Sequence, residues 1–240
     1  MGMESPTLAV VYDKGRTKGG WAMGTTAQLG TGWRLGELAA RPGTPSRERL
    51  PAGRHEFGDG VLQVPAGLAD GPVPLVVLLH GAGSTPERVL TVMKDRPALV
   101  YAPKSGARTW DAIHGNFGPD VEALDRSLVE LFEHFEVGRA TIAGFSDGAS
   151  YALSLGLVNG TLFEDVVAFS PGFVVPGARA GRPEVFVSHG RQDGVLPIEG
   201  TSRRIVPALR IVGYRVDYRE FTGGHEVPPS VADAAFRRIV

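Results

Sequence analysis

Arg139-Ala140-Thr141-Ile142-Ala143-Gly144-Phe145-Ser146-Asp147-Gly148-Ala149-Ser150-Tyr151 is the most informative stretch of the chain. Residues 139–143 have the apolar character of a buried strand, and 146–158 carry a helical pattern. Between them, Gly144-Phe145-Ser146-Asp147-Gly148 leaves no room for an ordinary loop, so the chain must turn sharply from strand into helix. Such a turn strains the serine backbone. A side chain two residues to either side would strike the helix or the neighbouring strand, which accounts for Gly144 and Gly148. In a chain with 33 glycines the motif alone is weak, because a glycine-lined turn with Ser146 capping a helix would read the same way. Its context carries the weight.

On both sides of this turn the alternation continues. Residues 73–79, 98–102, 166–170, 184–188 and 214–221 read as strands, most of them continuously apolar, as strands buried on both faces are. Helical spacing covers 86–93, 119–135, 199–211 and 228–239. In the longest, Val121, Leu124, Leu128, Leu131, Phe132 and Phe135 recur every three or four residues along one stripe. The pattern predicts an α/β fold: a mostly parallel, twisted sheet with helices on both faces and its sites at the carboxyl ends of the strands. Gly58-Asp59-Gly60 between the runs 54–57 and 61–64 predicts an early antiparallel hairpin. Residues 12–50 show no period, and Arg41-Pro42-Gly43-Thr44-Pro45-Ser46 is loop-like. An irregular lead-in over residues 1–50 is expected, then a single domain over 51–240.

The composition limits the partners. With 240 residues, 42 % hydrophobic and 21 % charged, the chain is an ordinary globular protein able to bury one full-sized core. The net charge is -1 and neither sign forms a long run, which disfavours nucleic acid and anionic lipid as partners. The absence of cysteine excludes disulfides, thiolate metal sites and a cysteine nucleophile. The apolar run near 75–79 is too short to span a bilayer. Leu8-Ala9-Val10-Val11 is broken by Tyr12-Asp13-Lys14 before it can form a signal-peptide core. A soluble, cytoplasmic protein without membrane insertion is the expectation.

Three further blocks bear on chemistry. Leu78-Leu79-His80-Gly81-Ala82-Gly83 ends a buried strand in a glycine-rich turn, where backbone N–H groups can face a cavity instead of a sheet partner. The amides of Ala82 and Asp147 are the candidate donors to a developing oxyanion, by backbone only. For the His80 side chain, local hydrogen bonding is the preferred reading. Asp193 follows the strand 184–188, and His225 follows the last strand in Gly223-Gly224-His225. A serine hydroxyl is a poor nucleophile until its proton has somewhere to go. An imidazole can take that proton near neutral pH, and a carboxylate can hold the imidazole's tautomer. Ser146, Asp193 and His225 stand in the order Ser…Asp…His, each after a predicted strand.

On these blocks, from about residue 74 to the C-terminus, the chain resembles an α/β-hydrolase. It is most similar to the small phospholipase/carboxylesterase group, which includes acyl-protein thioesterases and compact bacterial esterases. The resemblance rests on His80-Gly81-Ala82-Gly83, on Gly144-Phe145-Ser146-Asp147-Gly148-Ala149, on His189-Gly190-Arg191-Gln192-Asp193 with Val195-Leu196-Pro197, and on Gly224-His225-Glu226. It implies a Ser146–His225–Asp193 triad and hydrolysis of esters or thioesters. Asp147 departs from the glutamine more usual after the serine, and residues 1–50 match nothing in the group. The elbow and the 103–110 loop are also similar to polyester depolymerase and feruloyl esterase relatives.

The expected activity is therefore a serine carboxylesterase acting on small, short-acyl esters, with no cofactor, no metal and a small-molecule ester as partner. Thioesterase or lysophospholipase-like action and polyester or feruloyl ester hydrolysis are the alternatives. A peptidase and a non-catalytic ligand-binding relative stand further off. Trp110 and Phe117 either shape a substrate wall or pack beneath a long loop, and Phe145 and Phe173 either line the pocket or belong to the core. Asp111 and His114 would need a third partner to hold a metal, and no ligand-spaced cluster supplies one. Between residues 169 and 184 there is room for only a minimal lid, which predicts an open, shallow cleft.

Overall fold

Along β3 (Val73–Leu79), Leu75, Val77 and Leu79 face one core while Val76 and Leu78 face another, all without solvent exposure. A strand apolar on both faces has to lie inside a sheet covered from both sides. The computed structural model places β3 there and describes residues 35–93, 96–114, 116–237 and 239. Residues 1–34 of the expected lead-in, and the side chain of His114, lie outside the described residues.

The sheet has eight strands in the order β1-β2-β4-β3-β5-β6-β7-β8. β1 (Gly53–Phe57) and β2 (Gly60–Val64) form the antiparallel hairpin, and β2 pairs antiparallel with β4 (Leu99–Pro103). From β4 through β3, β5 (Val137–Phe145), β6 (Asp165–Phe169), β7 (Glu184–Gly190) and β8 (Val216–Phe221), every pairing is parallel. Helices α2 (Pro119–His134), α3 (Asp147–Val158) and α4 (Ser202–Ile211) contribute Leu124, Leu155 and Ile205 to the core on one face. Helices α1 (Pro86–Val89) and α5 (Pro229–Phe236) contribute Val89 and Phe236 to the core on the other. No helix among the described residues is long and apolar enough to cross a membrane.

Element boundaries differ from the sequence expectation where the backbone turns early. The strand predicted over 166–170 stops at Phe169 because Ser170 adopts φ 53°. The predicted helix 86–93 is α1 followed by a 3₁₀ turn, Leu90–Met93. The predicted helix 199–211 is broken at Thr201 (φ −123°, ψ −105°) into a 3₁₀ turn, Ile198–Gly200, and α4. A further 3₁₀ turn, Asp111–His114, had no periodic signal.

Two irregular segments are held by side chains. Leu38 and Ala40 are buried, and their amides donate to Asn159 Oδ1 (2.9 Å) and Asp125 Oδ1 (2.8 Å). Asn159 Nδ2 in turn donates to Gly36 O at 2.7 Å, so residues 36–40 strap across α2 and α3. The segment between β6 and β7 contains no helix. It is pinned to α3 by buried serines: Ser150 Oγ accepts from Gly172 N–H (2.8 Å) and Ser154 Oγ from Val175 N–H (2.9 Å).

Candidate active site

β3 and β5 are adjacent, yet the chain continues from β3 to β4 on one side and from β5 to β6 on the other. Loops leaving the carboxyl ends of two such strands diverge and open a crevice. His80-Gly81-Ala82-Gly83 leaves β3 at that point, and Ser146 leaves β5.

Ser146 has φ 60° and ψ −123°, a conformation that costs a non-glycine residue about 1–3 kcal/mol. The surroundings hold it there. Its N–H donates to Phe169 O (2.9 Å), and its carbonyl accepts from Ala149 N–H and Ser150 N–H as α3 begins. A Cβ on Gly144 would lie 2.2 Å from Gly148 O, and one on Gly148 would lie 2.4 Å from the carbonyls of Leu79 and His80. The first collision is with the helix and the second with the neighbouring strand.

His225 Nδ1–H donates to Asp193 Oδ2 at 2.7 Å, which leaves Nε2 to accept the Ser146 hydroxyl at 2.8 Å. The loops bearing the two partners are stitched together: Arg191 N–H donates to Phe221 O and Gln192 N–H to Gly223 O, both at 2.9 Å. Gly190 permits this approach, because a Cβ there would sit 2.2 Å from Gly224 O. The Phe145 ring lies against the imidazole at 4.7 Å between centroids. The Asp193 side chain is fully buried, and Oδ1 accepts from Val195 N–H (2.9 Å) and Leu196 N–H (2.8 Å). Burial alone would favour the neutral acid. The Leu196 amide, the His225 hydrogen bond and charge, and the Val195 amide outweigh it and hold the carboxyl below its ordinary range.

The Ala82 and Asp147 amides have no acceptor among the described residues. Asp147 opens α3, where first-turn N–H groups have no intrahelical partner. The β3 loop is braced by Gly83 N–H to Arg108 O (2.7 Å) and by Trp110 Nε1–H to His80 O (2.8 Å). It passes close to the serine, since a Cβ on Gly81 would be 3.2 Å from Ser146 Cβ. An arrangement of this kind can take a proton from Ser146 and offer N–H groups to a negative oxygen formed beside it.

The remaining candidates fall on both sides of their alternatives. His80 is buried and satisfied locally: Nδ1–H donates to Gly81 O (2.9 Å) and Nε2 accepts from Ser105 N–H (3.2 Å). Burial pushes its pKa down. The Asp147 carboxylate turns toward the neighbouring loop and accepts from Thr109 Oγ1–H (2.9 Å). Phe145 and Phe173 are half-buried. Trp110 and Phe117 take the packing alternative in their burial. They are core residues, 2 % and 5 % exposed, with Tyr151 stacked on Trp110 and edge-on to Phe117.

Two groups in this region make contacts that the sequence does not signal. Asp111 and Asp120 each accept the other's backbone N–H (both 2.9 Å), and Asp111 also accepts from Tyr151 O–H (3.0 Å), which fixes the loop that carries Trp110. Burial, together with the Asp120 charge, pushes the Asp111 carboxyl upward. The other group is His189, which lies behind Asp193. Its spacing of four residues from Asp193 was visible in the sequence, but no periodic rule pointed to a contact. Two cavities of about 620 and 410 Å³ flank the hairpin, and neither is lined by Ser146, Asp193 or His225.

No protein-family model matches the chain, and no curated protein matches it in sequence. Solved structures do resemble it. Esterase PE8 is 23 % identical at a TM-score of 0.58, covering 80 % of this chain and 100 % of its own. The carboxylesterase of Bacillus cereus is 18 % identical at 0.58, covering 78 % and 92 %. Acyl-protein thioesterase 2 of Zea mays is 19 % identical at 0.55, covering 78 % and 97 %. The fold is the α/β-hydrolase fold.

Proposed function

We propose that this protein is a serine carboxylesterase that hydrolyses small, short-acyl esters through an acyl-enzyme. The observation that carries this reading is the hydrogen bond of 2.8 Å from the Ser146 hydroxyl to His225 Nε2, at a serine with φ 60° directly after a buried strand. In the proposed reaction, Ser146 Oγ attacks the ester carbon while His225 takes its proton. Asp193 holds the imidazole in the Nδ1–H tautomer and stabilises the imidazolium that forms. The amides of Ala82 and Asp147 bind the oxygen as it becomes negative. His225 returns the proton to the departing alcohol, and a water activated by the same base then releases the acyl group. The short-acyl preference is supported by the segment between β6 and β7, which contains no helix to roof a long acyl chain.

Hydrolysis of a p-nitrophenyl ester series tests both parts. Ser146→Ala is expected to lower kcat by about 10⁴-fold or more, and kcat/KM should fall as the acyl chain lengthens. A Ser146→Ala variant retaining a tenth of wild-type activity would rule the mechanism out. A rate rising steadily to long chains would rule out the short-acyl preference.

A further inference from the structure

Asp193 has more partners than a simple chain of three side chains requires. Oδ1 accepts two backbone N–H groups and Oδ2 accepts His225. A fourth group approaches Oδ2: His189 Nε2 at 3.2 Å, with the side chains of His189 and Asp193 both fully buried. Lone-pair counting allows a carboxylate about four such bonds, so His189 would complete the set.

The hydrogen bonds of His189 determine which nitrogen carries its proton. Nε2 is 2.8 Å from Leu196 O, which can only accept, so Nε2 must be the protonated nitrogen. That N–H donates to Leu196 O, and Asp193 Oδ2 lies beside it, 3.2 Å from Nε2. Nδ1 lies 2.6 Å from Ser202 Oγ, whose hydroxyl donates to it from the first residue of α4. Asp193 and His225 are the ionisable groups acting on this ring, and burial, the larger effect, favours its neutral form. His189 therefore presents a polarised N–H and no positive charge.

We propose that His189 is a positioning residue for the esterase reaction, acting through Asp193, with Ser202 fixing its tautomer. This inference rests on the Ser146–His225–Asp193 reading. A neutral donor holds Oδ2 in place against His225 without cancelling the negative charge that supports the imidazolium. Ser202, His189, Asp193, His225 and Ser146 then form one continuous line of close polar contacts from α4 to the β5 turn. Removing the His189 donor concentrates the Asp193 charge on its bond to His225 and makes His225 harder to deprotonate.

The test compares pH profiles of kcat/KM on p-nitrophenyl acetate for wild type, His189→Leu, His189→Gln and Ser202→Ala. In His189→Leu the acid limb should move up by about half a pH unit or more. His189→Gln, whose amide can still donate, should recover most of that shift, and Ser202→Ala should move the limb the same way by less. Unmoved acid limbs in folded variants, with only the melting temperature lowered, would overturn the proposal. A measurement on the wild type does not depend on how the variants fold. Long-range ¹H–¹⁵N spectra should show residue 189 as the neutral Nε2–H tautomer from pH 7 to 9, and an Nδ1–H tautomer or a cation in that range would also overturn it. Failure of the esterase reading has a different signature, namely wild-type protein that neither hydrolyses esters nor is labelled at Ser146 by a fluorophosphonate.

Discussion

Gly148 shows how much one hydrogen atom in place of a methyl group matters. It lies where α3 crosses the end of β3, and an added Cβ would be 2.4 Å from the carbonyl oxygens of Leu79, the strand's last residue, and of His80 just beyond it. Neither oxygen belongs to a flexible side chain, so relief requires the backbone to shift. Gly148→Ala is expected to destabilise the protein by about 1–3 kcal/mol or more. It should also displace Ser146 from the β3 loop, so the proposed esterase activity should fall further than the loss of folded protein explains. Melting temperature and kcat per folded molecule, measured together, check both effects, and a variant normal in both would contradict the packing described. Phe145, on the other side of the serine, lends its ring to His225. A residue weighed as pocket or core thus supports the imidazole directly.

β8 illustrates a different balance. As an edge strand it is only partly buried, and its sequence, Val-Asp-Tyr-Arg-Glu-Phe, lacks the apolar run of the central strands. Charge replaces burial along this edge. Glu220 accepts from Arg203 Nε (2.8 Å) and Nη2 (2.7 Å), from Arg191 Nε (3.2 Å) and from Tyr218 O–H (3.1 Å), linking β8 to α4 and to the loop after β7. These bonds, Arg203's foremost, hold the Glu220 carboxyl at about 2, against an ordinary 4.5. A carboxyl depressed by folding contributes stability that is present above its unfolded pKa and lost as pH falls through the folded value. The melting temperature should therefore decline between pH 4.5 and about 2, and Glu220→Gln should make that decline shallower. Equal slopes for the two proteins would show that the cluster contributes nothing to acid stability. The solvent-exposed arginines keep the effect small and salt-sensitive.

The fold as a whole depends on a segment that has no regular structure. Residues 36–40 lie across α2 and α3, bury Leu38 and Ala40, and satisfy both polar ends of the buried Asn159 side chain. A chain starting at residue 42 should therefore be less stable than one starting at residue 35. Uncovering the Leu38 site costs about 1.5–3 kcal/mol, and leaving Asn159 without these partners costs about 1–3 kcal/mol more. Melting curves of the two truncations test this, and coincident midpoints would contradict it.

How far the sequence could be read follows from the range of each interaction. The central strands and their helices were legible because periodicity is local: a strand covered on both faces must be apolar throughout, as β3 is. The turn at Ser146 was legible because its steric demand falls within two residues of the serine. Ser146, Asp193 and His225 could be named from their positions after strands. Their contact was not visible, since it joins residues 79 and 32 apart in the chain. It follows from strand order, which places the ends of β5, β7 and β8 along one rim. The burial of Trp110 and Phe117 against Tyr151, and the approach of His189 to Asp193, also come from packing between distant segments, which leaves no period in the chain.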